Sequence, residues 1–302
     1  MKRPTRRDVL GIGMAAGVLL GTPAVRAADR DRIIISGASG QLGDAAVRDL
    51  LARGVRPQDL ILCSRTPAGL AQYAKLGAST RFGDFSQPDS LRAAFAGGTR
   101  MLLISIGGGA GPRPIAHGHA IDAARAAGVR QIAYTSWLGI TRGDTAGIAA
   151  DHVATEELLR QSGVPYTFLR NSLYMEILLP QAKKMVADGK AVVPAGEVRV
   201  GYVSRGDCAA AAAAVLCTSG HDNTSYDITG PALVGVADVA AAATAATGRT
   251  IVVQPPEPDA PPARSFAGPA LAFTSTAVAD LTGHPATSVR TFLAAHREQL
   301  LA

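Results

Sequence analysis

Cysteine, aromatic residues and clustered positive charge are all scarce in this sequence. Aromatic residues make up only 5% of the chain, and the three cysteines, an odd number, lack the spacing of a metal site. Cys63, Cys208 and Cys217 are therefore expected to be buried small hydrophobic residues. Of 30 basic and 24 acidic residues, five and one lie in residues 1–27, which leaves a nearly balanced 25 and 23. We therefore predict no metal and no nucleic-acid partner.

The composition favours a folded protein with a sizeable core. Hydrophobic residues make up 47% of the 302 residues and charged residues 18%, which excludes a disordered, collagen-like or coiled-coil chain. A chain of this length forms one large domain, or one domain with a small second lobe.

The first 27 residues, MKRPTRRDVLGIGMAAGVLLGTPAVRA, have the layout of an export signal. A basic start with Arg6 and Arg7 precedes a glycine-rich apolar stretch that is too short to span a bilayer, and Ala27 ends a cleavage-site pattern. The segment TRRDVLG resembles a twin-arginine signal, and the alternative is an ordinary secretory signal with two chance arginines. We expect a periplasmic or secreted protein with no stable membrane span after cleavage, and we exclude residues 1–27 from the fold.

The rest of the chain alternates between apolar strands and helices. This alternation predicts βαβ units around a parallel sheet, and almost wholly apolar strands are typical of a sheet covered on both faces. Strands are predicted at Ile33–Ser36, Leu60–Ser64, Ser79–Phe82, Met101–Ser105, Gln131–Ser136 and Tyr166–Arg170. The expected fold class is α/β, a Rossmann-type doubly wound parallel sheet, with residues 28–172 as the nucleotide-binding domain.

After residue 172 the alternation loosens. Short strands are predicted at Ala191–Pro194, Val198–Val203, Ser225–Thr229 and Thr250–Gln254, with helices between them and a last helix from about Thr287 to the end. We expect residues 173–302 to form a small C-terminal α/β lobe on the substrate side, packed over the carboxyl edge of the sheet and not an independent domain.

Three glycines follow the first strand in the stretch RIIISGASGQLG. Gly37 permits the tight turn, Gly40 lets the backbone approach a pyrophosphate, and Gly43 lets the next helix pack close to the sheet. The first amides of that helix then face a dianion, which the helix dipole favours. Because the triplet follows a strand and opens a helix, it predicts a dinucleotide site and not a plain strand-to-helix turn.

The end of the second strand indicates which dinucleotide binds. NAD-preferring folds place a carboxylate there, but this strand ends Cys63-Ser64-Arg65-Thr66, and Arg65 can pair with a 2′-phosphate. The expected cofactor is therefore NADP(H) in preference to NAD(H), unless Arg65 is a solvated loop residue. Asp84, in the Gly83-Asp84-Phe85 turn after the third strand, could accept a hydrogen bond from adenine or cap the following helix.

Several segments together resemble one family. They are SGASGQLG, CSR, GDF, LLISIGG, HAIDAARAAGVRQIAYTS, ADHVATEELLRQSGVPYTFLRNSLYME and YDITG. The combination is similar to the atypical short-chain dehydrogenases related to the NmrA regulators, and within them to the type 2 NAD(P)H:quinone oxidoreductases. The resemblance covers about residues 32–250 and resumes at LTGHPATSV, but the proline-rich region 255–273 is shorter than the family's helical insertion.

The resemblance implies a set of cofactor-binding residues. The phosphates would lie on the glycine turn, the 2′-phosphate on Arg65, adenine near Asp84 and Phe85, and the ribose along Ser105 and Ile106. The turn comprises Gly37, Ala38, Ser39, Gly40, Gln41, Leu42 and Gly43. The family's RNxxYxE pattern matches Asn171, Ser172, Leu173, Tyr174, Met175 and Glu176, which would close on the nicotinamide side. Tyr174 would line the substrate pocket or only fasten the lobe to the sheet.

The catalytic pair of ordinary short-chain dehydrogenases is absent. Those enzymes use Tyr-x-x-x-Lys on a helix, but here the lysine position is His152 and the tyrosine position is Ile148. General acid catalysis contributes about 10²–10⁴-fold, so alcohol or ketone chemistry should be poor. His152 or Ser136 could instead donate a hydrogen bond to an oxyanion, unless His152 is a polar residue on the helix surface. His117 and His119 lie two positions apart, do not share a helix face, and are not expected to bind metal.

The sequence predicts an exported, NADP-preferring oxidoreductase that transfers a hydride directly to a quinone or a similar electrophile, without flavin. The catalytic candidates are His152, Ser136 and Tyr174. The alternative is a non-catalytic NADP-binding redox sensor like the NmrA regulators, and an epimerase is disfavoured because it also needs the missing tyrosine. The expected partner is a small quinone-like electron acceptor, and a homodimer is left open.

Overall fold

The alternation of strands and helices forms the expected sheet. The computed structural model describes residues 31–107, 112–142, 147–256 and 268–302, so the predicted export signal lies outside the described residues. The strands are β1 Ile33–Ser36, β2 Leu60–Ser64, β3 Ser79–Phe82, β4 Arg100–Leu103, β5 Gln131–Trp137, β6 Tyr166–Asn171, β7 Lys190–Val192, β8 Thr224–Ile228 and β9 Val252–Gln254.

Helices follow most of the strands. They are α1 Gln41–Ala52, α2 Ala71–Lys75, α3 Pro88–Phe95, α4 Arg113–Ala126, α5 Ile148–Ser162, α6 Leu178–Asp188, α7 Arg205–Cys217, α8 Val236–Thr247, α9 Ala277–Thr282, α10 Val289–Ala295 and α11 Arg297–Leu301. Short 3₁₀ turns lie at Pro57–Asp59, Pro67–Leu70, Leu138–Arg142, Met175–Ile177 and Pro269–Leu271. No helix in the described part of the chain is long and apolar enough to cross a membrane.

Seven of the strands form one parallel sheet in the order β3-β2-β1-β4-β5-β6-β8. The order reverses between β1 and β4, and in such sheets ligands bind at the carboxyl ends of the strands on either side of that switch. Helices α1, α2, α7 and α9 enclose an apolar core on one face, and α3, α4 and α5 enclose a second core on the other. The Rossmann-type doubly wound fold predicted from the sequence is confirmed.

Residues 173–302 form a core of their own and also contribute to the main sheet and one of its cores. A third core of α6, α8, α10 and α11 forms beside the two-stranded sheet β7-β9. However, α7 packs in the core against α1, and β8 is the seventh strand of the main sheet. The boundary expected at residue 172 therefore does not mark the end of the sheet.

Two elements differ from the expectation. The segment Val198–Val203 is not a strand, because Val200 and Val203 each make only a single bridge, to Val234 and Tyr174 on different neighbours. The predicted last helix is two helices that meet at His296. The His296 side chain lies 2.8 Å from the Phe292 carbonyl, the acceptor that a continuous helix would offer to its own amide.

Candidate functional site

A cavity of about 600 Å³ lies at the carboxyl ends of β1, β2, β3 and β4, beside the switch in strand order. It is in the size range of small-molecule and cofactor sites. Its lining residues are Gly37, Ser39, Gly40, Ser64, Arg65, Thr66, Gly83, Asp84, Phe85, Ile104, Ser105, Ile106 and Gly107. Eight of these residues are among the cofactor-binding residues expected from the sequence.

The glycine turn has the backbone geometry of a phosphate cradle. Gly37 has φ +63°, in the left-handed region that favours glycine. A Cβ on Gly43 would overlap the Gly37 carbonyl oxygen and lie 2.8 Å from the Cα of Ala38, so the third glycine permits close packing of α1 on β1. Gly40 is the N-cap of α1 and supplies no side-chain cap, which leaves the first amides of the helix for another acceptor.

The remaining residues of the expected phosphate turn do not line the cavity. Ala38 is fully buried, and its amide donates to the Cys63 carbonyl at 3.0 Å. Leu42 and Gly43 are buried in the packing of α1 on β1, and Gln41 is exposed on the first turn of α1. Side-chain contact with a ligand at this turn therefore rests on Ser39.

Arg65 lies among three hydroxyl groups. The Ser39 and Ser64 hydroxyl oxygens are 2.6 Å apart, and the Ser64 oxygen also accepts the Thr66 amide at 3.0 Å. The exposed Arg65 extends from between Ser64 and Thr66 into the lining of the same cavity. One guanidinium and three hydroxyl groups form a donor set suited to a phosphate monoester.

Asp84 and Phe85 follow β3, whereas the glycine turn follows β1, so one strand of the sheet separates the two loops. One carboxylate oxygen of Asp84 accepts the amide and the hydroxyl of Ser86, at 2.9 and 2.8 Å. The Ser86 backbone hydrogen bond lowers the pKa of Asp84, with smaller contributions from the Ser86 hydroxyl and the Arg65 charge. Asp84 thus stabilises its own turn through one oxygen, while Phe85 presents an apolar surface to the cavity.

The backbone of the loop after β4 is already hydrogen-bonded. The Ser105 amide donates to the Thr135 hydroxyl at 2.8 Å, and that hydroxyl donates to the Ser105 hydroxyl oxygen at 3.2 Å. The Ile106 carbonyl accepts from Arg113, and the Ile106 amide donates to His117. Ser105 therefore retains a hydroxyl proton to donate to a ligand, and Ile106 offers only its apolar side chain.

Residues Asn171 to Glu176 lead from the end of β6 toward α6, contact the start of α7, and do not line this cavity. Tyr174 bridges to Val203, its ring lies under the Arg205 guanidinium at 5.0 Å, and the Glu176 carboxylate accepts the Arg205 amide at 3.0 Å. Burial raises the pKa of the Tyr174 phenol, which keeps it protonated. These contacts favour the fastening role for Tyr174, and its place on the nicotinamide side stays a prediction.

Ser136, at the end of β5, donates its hydroxyl to a buried carboxylate. Its oxygen lies 2.7 Å from Glu156, which is only 1% exposed and makes two hydrogen bonds with Arg170, at 2.9 and 2.8 Å. Arg160 adds a second ion pair to the same carboxylate at 2.9 Å. These four residues form a carboxylate cluster that already uses the hydroxyl proton of Ser136.

His152 is buried and not on the helix surface. Its Nδ1 lies 2.8 Å from the Tyr134 hydroxyl, and burial, aided by the charge of Arg113, lowers its pKa to about 3. Burial also raises the pKa of Tyr134. At neutral pH His152 is therefore uncharged and hydrogen-bonded inside the protein, and it does not line the cavity. The alternative that His152 is a polar residue on the helix surface is therefore wrong, because α5 buries a polar stripe against β5.

Several site residues escaped the sequence reasoning. The cavity is also lined by Ser64, Thr66, Gly83, Ile104 and Gly107, which the sequence reasoning did not name as site residues. Ser64 and Thr66 directly flank Arg65 and could have been found from that position. Within the described residues no group of acidic, histidine and cysteine side chains could hold a metal ion. His117 and His119 contact different loops, in accord with their separate helix faces.

Comparisons with known proteins agree with this geometry. A family profile described as NAD(P)H-binding matches residues 37–219. Quinone oxidoreductase 2 of Escherichia coli (strain K12) is 35% identical over 74% of this chain and 77% of its own.

Two solved structures share the fold across nearly their whole length. The NADPH complex of the NADPH-dependent quinone oxidoreductase of Escherichia coli has a TM-score of 0.75 at 30% identity, covering 89% of this chain and 100% of that chain. The NADP(H) complex of Citrobacter sp. triphenylmethane reductase has a TM-score of 0.76 at 30% identity, covering 87% and 99%. The chain therefore belongs to the NAD(P)H-binding, NmrA-like family of atypical short-chain reductases, and it is an NAD(P)H-dependent oxidoreductase.

Proposed function

We propose that this protein transfers a hydride from NADPH to a quinone or a similar electrophile, without a flavin and without a Tyr-x-x-x-Lys pair. The observation that carries the proposal is the cavity at the carboxyl ends of β1 and β2, where Arg65 stands in place of a carboxylate. The quinone oxidoreductase and the triphenylmethane reductase named above support the choice of a conjugated, electrophilic acceptor.

The residues of the cavity fit the cofactor. The uncapped first amides of α1 would hold the pyrophosphate, and Arg65 with the hydroxyl groups of Ser39, Ser64 and Thr66 would hold a 2′-phosphate. Phe85 would lie against adenine and Ser105 would donate to a ribose. When bound, NADPH supplies the hydride.

The states of the three candidate proton donors limit which electron acceptors the protein can reduce. The Ser136 hydroxyl donates to Glu156, His152 is uncharged and bonded to Tyr134, and Tyr174 is a half-buried residue whose phenol has a raised pKa. A carbonyl that must be protonated as it is reduced would find no strong acid among these three groups. A quinone is suitable because its reduced form is a stabilised anion that water can protonate later. The chain's contribution is then to hold donor and acceptor in contact and to exclude other geometries.

The test is a kinetic comparison of NADPH and NADH with a small benzoquinone, using purified wild-type protein and the Arg65→Ala variant. We expect NADPH to be preferred and the preference to fall about 10–100-fold in the variant, because one charge-assisted contact to the 2′-phosphate is lost. Arg125→Ala, an exposed arginine on α4 paired with Asp122, is the matched control and should leave the preference unchanged.

Two outcomes would contradict the proposal. Tight NADPH binding without reduction of any quinone would favour the redox-sensor alternative. A purified protein that is yellow, and that loses activity when the flavin is removed, would contradict the flavin-free reaction.

We further propose that the protein acts outside the cytoplasm, as the pair Arg6-Arg7 suggests. Replacing both arginines by lysine keeps the charge and should trap the protein in the cytoplasm in a fractionation experiment. Unchanged export would indicate an ordinary secretory signal.

A further inference from the structure

Helix α4 holds the backbone of two loops that line the cavity. The Ile106 carbonyl accepts from Arg113 Nε at 2.8 Å, and the Ile106 amide donates to His117 Nε2 at 3.1 Å. One turn of the helix apart, these two side chains thus bind both polar groups of a single loop residue. His119 Nδ1 lies 2.9 Å from the Phe85 carbonyl on the neighbouring loop. None of these side chains has a part in the hydride-transfer proposal.

The hydrogen bonds define the protonation of His117. Because Nε2 accepts the Ile106 amide, the ring proton must lie on Nδ1, which then donates to the Thr155 hydroxyl oxygen at 2.9 Å. The Thr155 hydroxyl in turn donates to the Asp151 carbonyl at 2.8 Å, so its oxygen is left as an acceptor. Burial lowers the pKa of His117 to about 3, with smaller contributions from its interactions with His152 and with the Arg113 charge. The ring is therefore neutral and in one tautomer at physiological pH.

This chain of bonds runs from α5 through α4 to the wall of the cavity. Thr155 on α5 selects the tautomer, His117 on α4 presents its lone pair, and Ile106 is held in place. The His117 ring also packs edge-on against Phe85 and Tyr134, with ring centroids 6.1 and 5.6 Å apart. A role in packing alone would depend on the shape of the ring and not on which nitrogen carries the proton.

We propose that His117 is a positioning residue of the nucleotide site, which holds the Ile104–Gly107 loop in its binding conformation through the tautomer that Thr155 selects. The proposal rests on the proposed function, since it assigns a role in NADPH binding. It does not require that His117 touch the cofactor.

The test measures the dissociation constant for NADPH by direct fluorescence titration, independently of turnover. The variants are His117→Leu, His117→Gln, Thr155→Val, and Thr155→Val combined with His117→Gln. Glutamine can place an acceptor near the position of Nε2 and has no tautomer, whereas leucine removes the acceptor. We expect about a tenfold weaker NADPH binding for His117→Leu and about a twofold loss at most for His117→Gln, consistent with the loss or retention of one buried hydrogen bond.

The combined variant separates tautomer selection from packing. Thr155→Val should weaken binding about fivefold in the wild-type background and less than about twofold in the His117→Gln background. An equal loss in both backgrounds would overturn the proposal, because it would mean that Thr155 acts through packing. Thermal unfolding checks that each variant is folded, and if His117→Leu does not fold, the two Thr155 measurements decide the matter alone.

A spectroscopic measurement tests the tautomer itself. Nitrogen-15 NMR of the imidazole in wild-type protein should show a protonated Nδ1 and an unprotonated Nε2, and a protonated Nε2 would overturn the proposal. If wild-type protein binds no NADPH, the proposed function fails together with this inference. If it binds NADPH but all four variants bind equally well, only the inference fails.

Discussion

The polar side chains at the carboxyl edge of the sheet have different hydrogen-bond partners in its two halves. In the β1–β2 half, the exposed Arg65 and nearby hydroxyl groups line a cavity, although one proton of the Ser39–Ser64 pair is used in the hydrogen bond between them. In the β5–β6 half, Ser136 and Arg170 are bonded to the buried carboxylate of Glu156, and Tyr134 to His152. The first half is arranged to receive an anion, and the second is largely satisfied by its own side chains, apart from the buried Asn171 Oδ1 and Ser172 hydroxyl at the end of β6, which have no hydrogen-bond partner among the described residues.

This difference separates binding from chemistry. Unsatisfied donors next to an uncapped helix terminus are available for a ligand, whereas a buried donor that already has a partner must break that bond before it can act. The residues that resembled a catalytic set in the sequence lie in the satisfied half. Under the proposed function, hydride transfer then depends on positioning of the two reactants and not on a general acid.

The largest effect should come from breaking the carboxylate cluster. Glu156→Gln removes the hydrogen-bonded charge partner of the half-buried Arg170 and leaves it only the nearby charge of Asp227, and removal of one member of a buried ion pair costs about 3–5 kcal/mol. We expect the free energy of unfolding, measured with urea, to fall by about 3 kcal/mol, because Arg160 is partly exposed and can be solvated. Glu157→Gln, the neighbouring exposed carboxylate, is the control and should change it by less than about 0.5 kcal/mol. Equal effects of the two substitutions would contradict the self-satisfied description of this half.

The second effect is a loss of stability in acid from the two buried histidines. His117 and His152 have folded-state pKa values of about 3, below the ordinary value of 6.5. Their contribution is complete above pH 6.5 and is lost as pH falls toward 3, by at most about 1.4 kcal/mol per pH unit for each histidine. Urea unfolding at pH values between 7.5 and 4.5 measures this slope.

A matched pair of variants tests whether the buried histidines cause this pH dependence of the free energy of unfolding. His117→Gln should make it shallower, and His284→Gln, at an exposed position, should not. If both variants keep the wild-type slope, the acid sensitivity comes from other groups and the buried histidines are not the cause.

Local features of the sequence were enough to predict the open half. The glycine spacing and the missing carboxylate after β2 act within a few residues of each other, and the turn and Arg65 lie where that pattern places them. The satisfied half depends on contacts between distant residues: Ser136, Glu156 and Arg170 come from two strands and a helix. A partner 14 or 20 positions away leaves no local trace.

One signal in α5 could nevertheless have been read. Its buried residues, Ala149, His152, Thr155, Glu156 and Leu159, follow a helical stripe. Two apolar residues three turns apart mark the buried face, and the polar residues between them on that face must then be buried with partners. This stripe predicts that His152 and Glu156 are buried. Matching His152 to the lysine of the Tyr-x-x-x-Lys pair did not predict its burial.

The smallest expected effect is the most informative about catalysis. Ser136→Ala should reduce stability by about 1 kcal/mol, the net value of one hydrogen bond, and leave kcat with a benzoquinone within about threefold of wild type. The reason is that the hydroxyl proton points to Glu156, 2.7 Å away, and is not available to a developing oxyanion. Loss of a true oxyanion donor would instead lower kcat about 10²–10³-fold. Steady-state kinetics at saturating NADPH distinguishes the two results. A loss of that size would show that Ser136 donates a hydrogen bond to the oxyanion during the reaction.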